Sequence, residues 1–268
     1  MAPTTPAPDP FNRREAVGIG VAAFMMLAAG GQAGAQKTAG KNVMKILCVI
    51  RYQIDPFKRA EFKQHVENLT AFVPHCGGHL LAYCLPHEGT NDVAWGLIGF
   101  ESLTAYEVYR GQLKIDPAAI EDAAWTESQR AILREERNFV ALVDGTFNAA
   151  PISAGQRKLM CVIRYQIDPF KKAEFQKHAE NLIAPVARCG GQLVGFYLPH
   201  EGTNDVGWAL LMVDSLAAYE AYRLRFLNDP EAMEDAAWMK REKVILREER
   251  NFVEVVDGTF NLPPTVTA

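Results

Sequence analysis

Apolar and polar positions along this chain follow two periods, and the whole pattern comes round twice. Residues 45–54 are β-branched and apolar and predict a strand, with Cys48, Ile50, Tyr52 and Ile54 on one side and Val49, Arg51 and Gln53 on the other. Asp55-Pro56 predicts a helix start, an N-cap carboxylate followed by a proline whose fixed φ suits the first turn. Phe62, Val66, Leu69 and Val73 then recur at helical spacing, and Cys76-Gly77-Gly78 stops the helix. Residues 79–85 predict a second strand, 86–92 a polar turn, and 93–100 a third strand that completes an antiparallel hairpin. Ser102 caps a helix over 103–114, and Asp116-Pro117 starts another that is expected to reach about Arg134. A last strand is expected over 138–143, closed by Asp144-Gly145.

The same elements follow after a shift of 113 residues, which carries Cys48 to Cys161, Tyr52 to Tyr165 and Asn148 to Asn261. The second helical stripe is Phe175, Ala179, Leu182 and Val186. The chain therefore divides into a repeat over 45–148, a short linker over 149–157, a repeat over 158–261 and a tail over 262–268. Strand-helix-strand-strand-helix-helix-strand matches the ferredoxin-like split βαβ layout, an α+β fold with helices on one sheet face. The other face needs cover too, and the mixed Val49, Arg51, Gln53 side suits a partly polar cavity. Two like sheets in one chain are expected to pack face to face about a pseudo-twofold axis. The product is an intramolecular, pseudo-dimeric α/β barrel with a lumen.

Composition narrows the function classes. Of 268 residues, 49% are hydrophobic and 22% charged, which excludes a disordered chain, and a net charge of -4 gives no support for nucleic-acid binding. Five cysteines are too few for a disulfide scaffold, and buried free thiols are expected. Residues 1–35 read as an export signal: Arg13-Arg14, an apolar run over 16–29 and the small-residue exit Ala33-Gly34-Ala35. The paired arginines resemble a twin-arginine signal, although Glu15-Ala16-Val17 stands where bulky apolar residues are usual. The apolar run is too short for a stable membrane span. The expectation is an exported, periplasmic protein beginning at Gln36; the alternative is a cytoplasmic one beginning near Met44.

Tyr52 with Asp55-Pro56-Phe57, Gly77-Gly78, the turn Pro86-His87-Glu88-Gly89-Thr90-Asn91-Asp92, the run from Ser102 to Glu107, and Arg134 to Phe139 each recur in the second half. In this ordered set both repeats resemble the NIPSNAP family of the dimeric α/β-barrel superfamily. The resemblance implies a barrel fold and an unsettled biochemical role. Related barrels include cofactor-free monooxygenases, haem-handling enzymes and small isomerases, and fold alone does not choose among them.

Candidate chemistry gathers in three places. His87, Glu88 and Asp92, with His200, Glu201 and Asp205, put a histidine beside carboxylates, a proton-transfer or ligand arrangement; the competing reading is a solvated turn. Arg51 and Arg164, with Gln53 and Gln166, point to the lumen and suit a ligand carboxylate, or else ion pairs at a barrel end. Tyr52, Tyr165, Trp95 and Trp208 line an aromatic pocket or belong to the core. Arg134-Glu135-Glu136-Arg137 reads as a solvated helix end. The absence of HExxH, of zinc-spaced cysteine pairs and of a dinucleotide fingerprint leads to no expected cofactor or metal, with haem or metal at His87 or His200 the least favoured reading. The expected partner is a small apolar or aromatic acid held in the lumen, bound or converted by oxygenase or isomerase chemistry. The alternative is a non-catalytic scaffold that meets a protein partner.

Overall fold

The computed structural model describes residues 44–263, so the signal-like segment and most of the tail lie outside the described residues. The first repeat holds β1 (Ile46–Ile54), a 3-10 turn (Pro56–Lys58), α1 (Arg59–Phe72), β2 (His79–Glu88), β3 (Val93–Phe100), α2 (Leu103–Leu113), α3 (Pro117–Gln129) and β4 (Ile132–Leu142). The second holds β5 (Leu159–Ile167), α4 (Lys172–Arg188), β6 (Gln192–Glu201), β7 (Val206–Val213), α5 (Leu216–Phe226), α6 (Pro230–Glu242) and β8 (Ile245–Val255). The caps are those the sequence signals. Asp55 accepts from the Phe57 N–H, Ser102 from Ala105 and Asp116 from Ala119.

The two sheets do more than face each other. They join at their edges into a closed eight-stranded barrel, in the order β1-β3-β2-β8-β5-β7-β6-β4. Closure removes every raw strand edge. One seam pairs β2 with β8 (Cys84 opposite Val255, Glu88 opposite Phe252), and the other pairs β4 with β6 (Phe139 opposite Glu201, Leu142 opposite Tyr197). All neighbours are antiparallel, so β1 and β5 run the same way and the pseudo-twofold axis lies along the barrel.

A reciprocal clasp reinforces each seam. The chain after β4 folds over β6: the buried Thr146 hydroxyl accepts the Phe196 N–H at 3.0 Å and donates to the Val143 carbonyl at 2.7 Å. The chain after β8 does the same over β2, where Thr259 accepts the Tyr83 N–H at 3.1 Å and donates to Val256 at 2.7 Å. Asn261 adds a bond to the Leu80 carbonyl at 2.9 Å. The repeated Asp-Gly-Thr-Phe-Asn sequence is thus the fastening of one repeat onto the other.

Three apolar cores follow from strand alternation. Cys48, Ile50, Tyr52 and Ile54 face outward beneath α1, against Phe62, Val66 and Leu69, and Cys161, Ile163, Tyr165 and Ile167 do so beneath α4. The inward side chains fill the barrel itself: Leu47, Val49, Leu97, Met160, Val162 and Leu210 are buried there around Trp95 and Trp208. Each large side chain fully withdrawn from water contributes roughly 1.5–3 kcal/mol. The expected partly polar lumen is therefore corrected to a packed apolar interior.

Three element boundaries also differ from expectation. The helix expected to reach Arg134 ends at Gln129, because Arg130 adopts a left-handed φ of 52° and caps it. Arg134 to Arg137 belong to β4, not to a helix end, and lie along β1 with Glu136 opposite Arg51 and Arg134 opposite Gln53. The strand expected from residue 138 begins at Ile132, its charged outer half carried by ion pairs rather than by burial. Likewise β2 continues through His87 and Glu88, which shortens the polar turn to 89–92. All five cysteines are free and buried.

Candidate functional site

The outer face of the second sheet and its helices border an open-sided cavity of about 400 Å³. Tyr165, His178, Phe196, Tyr222 and Met239 line it, with Asp235 and Arg250 among the polar groups. Helix α4 carries His178 on its buried side, three residues after Phe175. The ring is held on one side: Nδ1 lies 2.5 Å from Asp235 on α6, and the other oxygen of that carboxylate accepts from Asn181 at 2.8 Å. An ionised carboxylate only accepts, so the bond keeps a proton on Nδ1, and in the neutral ring the lone pair is then on Nε2. That Nε2 is buried and has no hydrogen-bond partner among the described residues. The Tyr165 and Phe196 rings stand edge-on to His178 at 6.3 and 5.8 Å between centroids. Burial pushes the Tyr165 and Tyr222 hydroxyls well above the ordinary phenol range, so both remain neutral donors. A histidine oriented by a carboxylate, with its second nitrogen held dry, has the form of a general base.

The first repeat keeps the dyad but changes its surroundings. His65 Nδ1 lies 2.6 Å from Asp122, and Asn68 donates to the same carboxylate at 2.8 Å. Thr126 stands where the second repeat has Met239, and its hydroxyl is 3.1 Å from His65 Nδ1. Tyr83 replaces Phe196. Its ring lies over Gly96, where a Cβ would come within 2.6 Å of it, and its hydroxyl is 3.3 Å from that of Tyr52. The second repeat has Ala209 in place of Gly96, which bars its aromatic ring from that position.

A third grouping, His75, Cys76 and Asp116, brings three metal-capable atoms within 4.8 Å. Both nitrogens of His75 are already engaged, Nε2 with Asp116 at 2.5 Å and Nδ1 with the Ala71 carbonyl at 3.0 Å. The equivalent residue in the second repeat is Arg188, which bonds Asp229 through two nitrogens at 2.8 and 2.9 Å. A guanidinium in the same place identifies the grouping as an ion pair at a helix end.

Comparison with known proteins decides the family. The NIPSNAP family profile matches residues 47–145 and again 160–257. The chain belongs to the NIPSNAP family. Among solved structures, the tandem NIPSNAP chain is similar to a putative monooxygenase from Lactobacillus acidophilus, at 12% identity and a TM-score of 0.60, over 84% of this chain and 100% of that one. It is similar to a putative monooxygenase from Fusobacterium nucleatum at 11% identity and 0.60, over 84% and 99%. An anthrone oxidase-like protein aligns at 16% identity and 0.52, over 80% and 92%. At these identities the likeness shows the fold alone. Among curated proteins the chain has no significant match.

The residues that the sequence singles out fall in five separate places in the NIPSNAP repeats. Tyr52 and Tyr165 lie beneath the helices, and Tyr165 reaches the cavity. Arg51, Gln53, Arg164 and Gln166 sit half-buried at the mouth of the barrel, where Gln53 donates to Asp92 at 3.1 Å and Gln166 to Asp205 at 2.6 Å. Trp95 and Trp208 meet inside the barrel, 5.1 Å apart. His87 is half-buried at the first seam, with Arg157 3.4 Å away, and Glu88 pairs there through its backbone. Glu201 pairs the same way at the other seam, and His200 beside it is exposed. His178, Asn181 and Asp235 escape the sequence reading. The signal that points to them is a polar His-x-x-Asn on the apolar stripe of the first helix in both repeats, with an aspartate 57 residues beyond each histidine.

Proposed function

We propose that this protein binds a small, mainly apolar aromatic acid between the helices and the outer sheet face of its second repeat, and that His178 takes up an acidic proton of the bound compound. The carrying observation is that His178, whose buried Nε2 has no partner among the described residues, lines a cavity of about 400 Å³ walled by Tyr165, Phe196 and Tyr222. That volume is within the usual range for small-molecule sites. Arg223 and Lys240 at the rim suit a carboxylate, and Lys240 replaces Glu127 of the first repeat. The packed barrel interior moves the proposed seat from the lumen to this side cavity. The name of one structural relative, an anthrone oxidase-like protein, supports aromatic chemistry of this kind.

The test is calorimetric titration with 2-naphthoate. Saturable binding is expected, lost in Leu182→Trp, which fills the cavity, and weakened in His178→Gln. No binding to the wild type, or equal binding by a folded Leu182→Trp, would overturn the reading. Export through residues 1–35 is a separate proposal; N-terminal sequencing of native protein is expected to give Gln36, and a start at Met44 defeats it.

A further inference from the structure

At the end of the barrel where β1 and β5 finish, polar side chains flank the Trp95–Trp208 pair. Strand register places Arg51 opposite Trp95 on one side and Glu136 on the other, and Arg164 opposite Trp208 and Glu249 in the second repeat. Both indoles are buried, at 3% and 4% exposure, and neither Nε1–H has an acceptor among the described residues. Their edge-to-face contact, at 75° between planes, offers a ring face to one N–H at most. A buried donor without an acceptor is costly, and two of them on a pseudo-twofold axis call for a common partner.

The arginines nearest the indoles are also loosely held. Glu136 lies 2.7 Å from Arg134 but 3.7 Å from Arg51. Glu249 lies 2.7 Å from Arg247 but 3.6 Å from Arg164. In each repeat the glutamate belongs mainly to the outer arginine, and the inner guanidinium keeps donors to spare. We infer that the barrel mouth is a second small-molecule site, separate from the helix-side cavity, and that it takes a short dicarboxylate. Each repeat supplies one guanidinium fork and one indole N–H, a donor set that suits one carboxylate. The pseudo-twofold axis supplies the set twice. Arg51, Arg134, Arg164 and Arg247 are balanced by Glu136, Glu249, Asp92 and Asp205, so selection comes from donor geometry rather than net charge.

Calorimetry of the full chain with malonate, succinate and acetate tests this. One of the two dicarboxylates is expected to bind saturably, at one per chain and at least tenfold more tightly than acetate. Arg51→Gln combined with Arg164→Gln is expected to weaken it at least tenfold. If that variant fails to fold, Trp95→Phe combined with Trp208→Phe decides, since it keeps the aromatic packing and removes both N–H donors; a severalfold loss is expected. The inference is overturned if neither dicarboxylate saturates, if acetate binds as well, or if the folded variants bind undiminished.

Discussion

The hydroxyl of Thr259 accepts the backbone N–H of Tyr83 at 3.1 Å, across 176 residues of chain and between the two repeats. The group is fully buried, so water cannot replace it. Thr259→Val keeps the shape and removes the acceptor, and is expected to cost about 1–3 kcal/mol, measured by urea denaturation. Thr146→Val should do the same at the other seam through Phe196. A change below about 0.5 kcal/mol in both, the size of an ordinary surface substitution, would mean that the clasps carry no weight.

The seams also explain two turn glycines. Gly89 has φ +111° and Gly202 φ +110°, and a Cβ on either would meet Asn251 Oδ1 at 2.5 Å or Asn138 Oδ1 at 2.7 Å in the opposite repeat. Gly145 also has positive φ, but the nearest atom to its Cβ position is 3.7 Å away. Gly89→Ala is therefore expected to lower the melting temperature more than Gly145→Ala, since both carry the backbone strain and only one carries the clash. Equal effects would assign the glycines to turn geometry alone.

The pair His75–Asp116 should titrate where its counterpart does not. The hydrogen bond to Asp116 holds the His75 pKa above its ordinary value, and the Ala119 N–H and His75 hold that of Asp116 below its own. The histidine contribution is then full below the ordinary imidazole value and fades as pH rises through the raised one. The aspartate contribution is present above the ordinary carboxylate value and is lost as pH falls through the lowered one. His75→Arg, copying Arg188, is expected to flatten the alkaline limb of a stability–pH profile and leave the acid limb. An unchanged alkaline limb would show that the pair contributes nothing there.

Burial raises the thiol pKa of Cys48 to about 12 and of Cys161 to about 11, so almost no thiolate exists at pH 8. Native protein should resist iodoacetamide, and denatured protein should take five labels. Rapid labelling of a native thiol would contradict the packing of the outer cores.

Much of this was legible in the sequence. The shift of Cys48 to Cys161 gives the duplication, and the alternation of β1 correctly sends Tyr52 toward the helices and Val49 inward. What escaped depends on contacts between repeats. No local pattern tells that β2 will find β8, so the His87 turn read as reactive although its backbone is the end of a seam strand. Arg134 to Arg137 read as a helix end because charge masks a strand whose side chains are satisfied by ion pairs. The His178–Asp235 dyad spans two helices 57 residues apart, and only the polar interruption of an apolar stripe hints at it.

Tyr83 with Gly96 in one repeat and Phe196 with Ala209 in the other are alternative solutions of one packing problem. Identical subunits could never hold both, since any change in a shared gene appears in each copy at once. Covalent linkage lifts that constraint: one half is free to drift while its sibling preserves the architecture. The doubled chain can therefore evolve a left side and a right side, which a true dimer cannot.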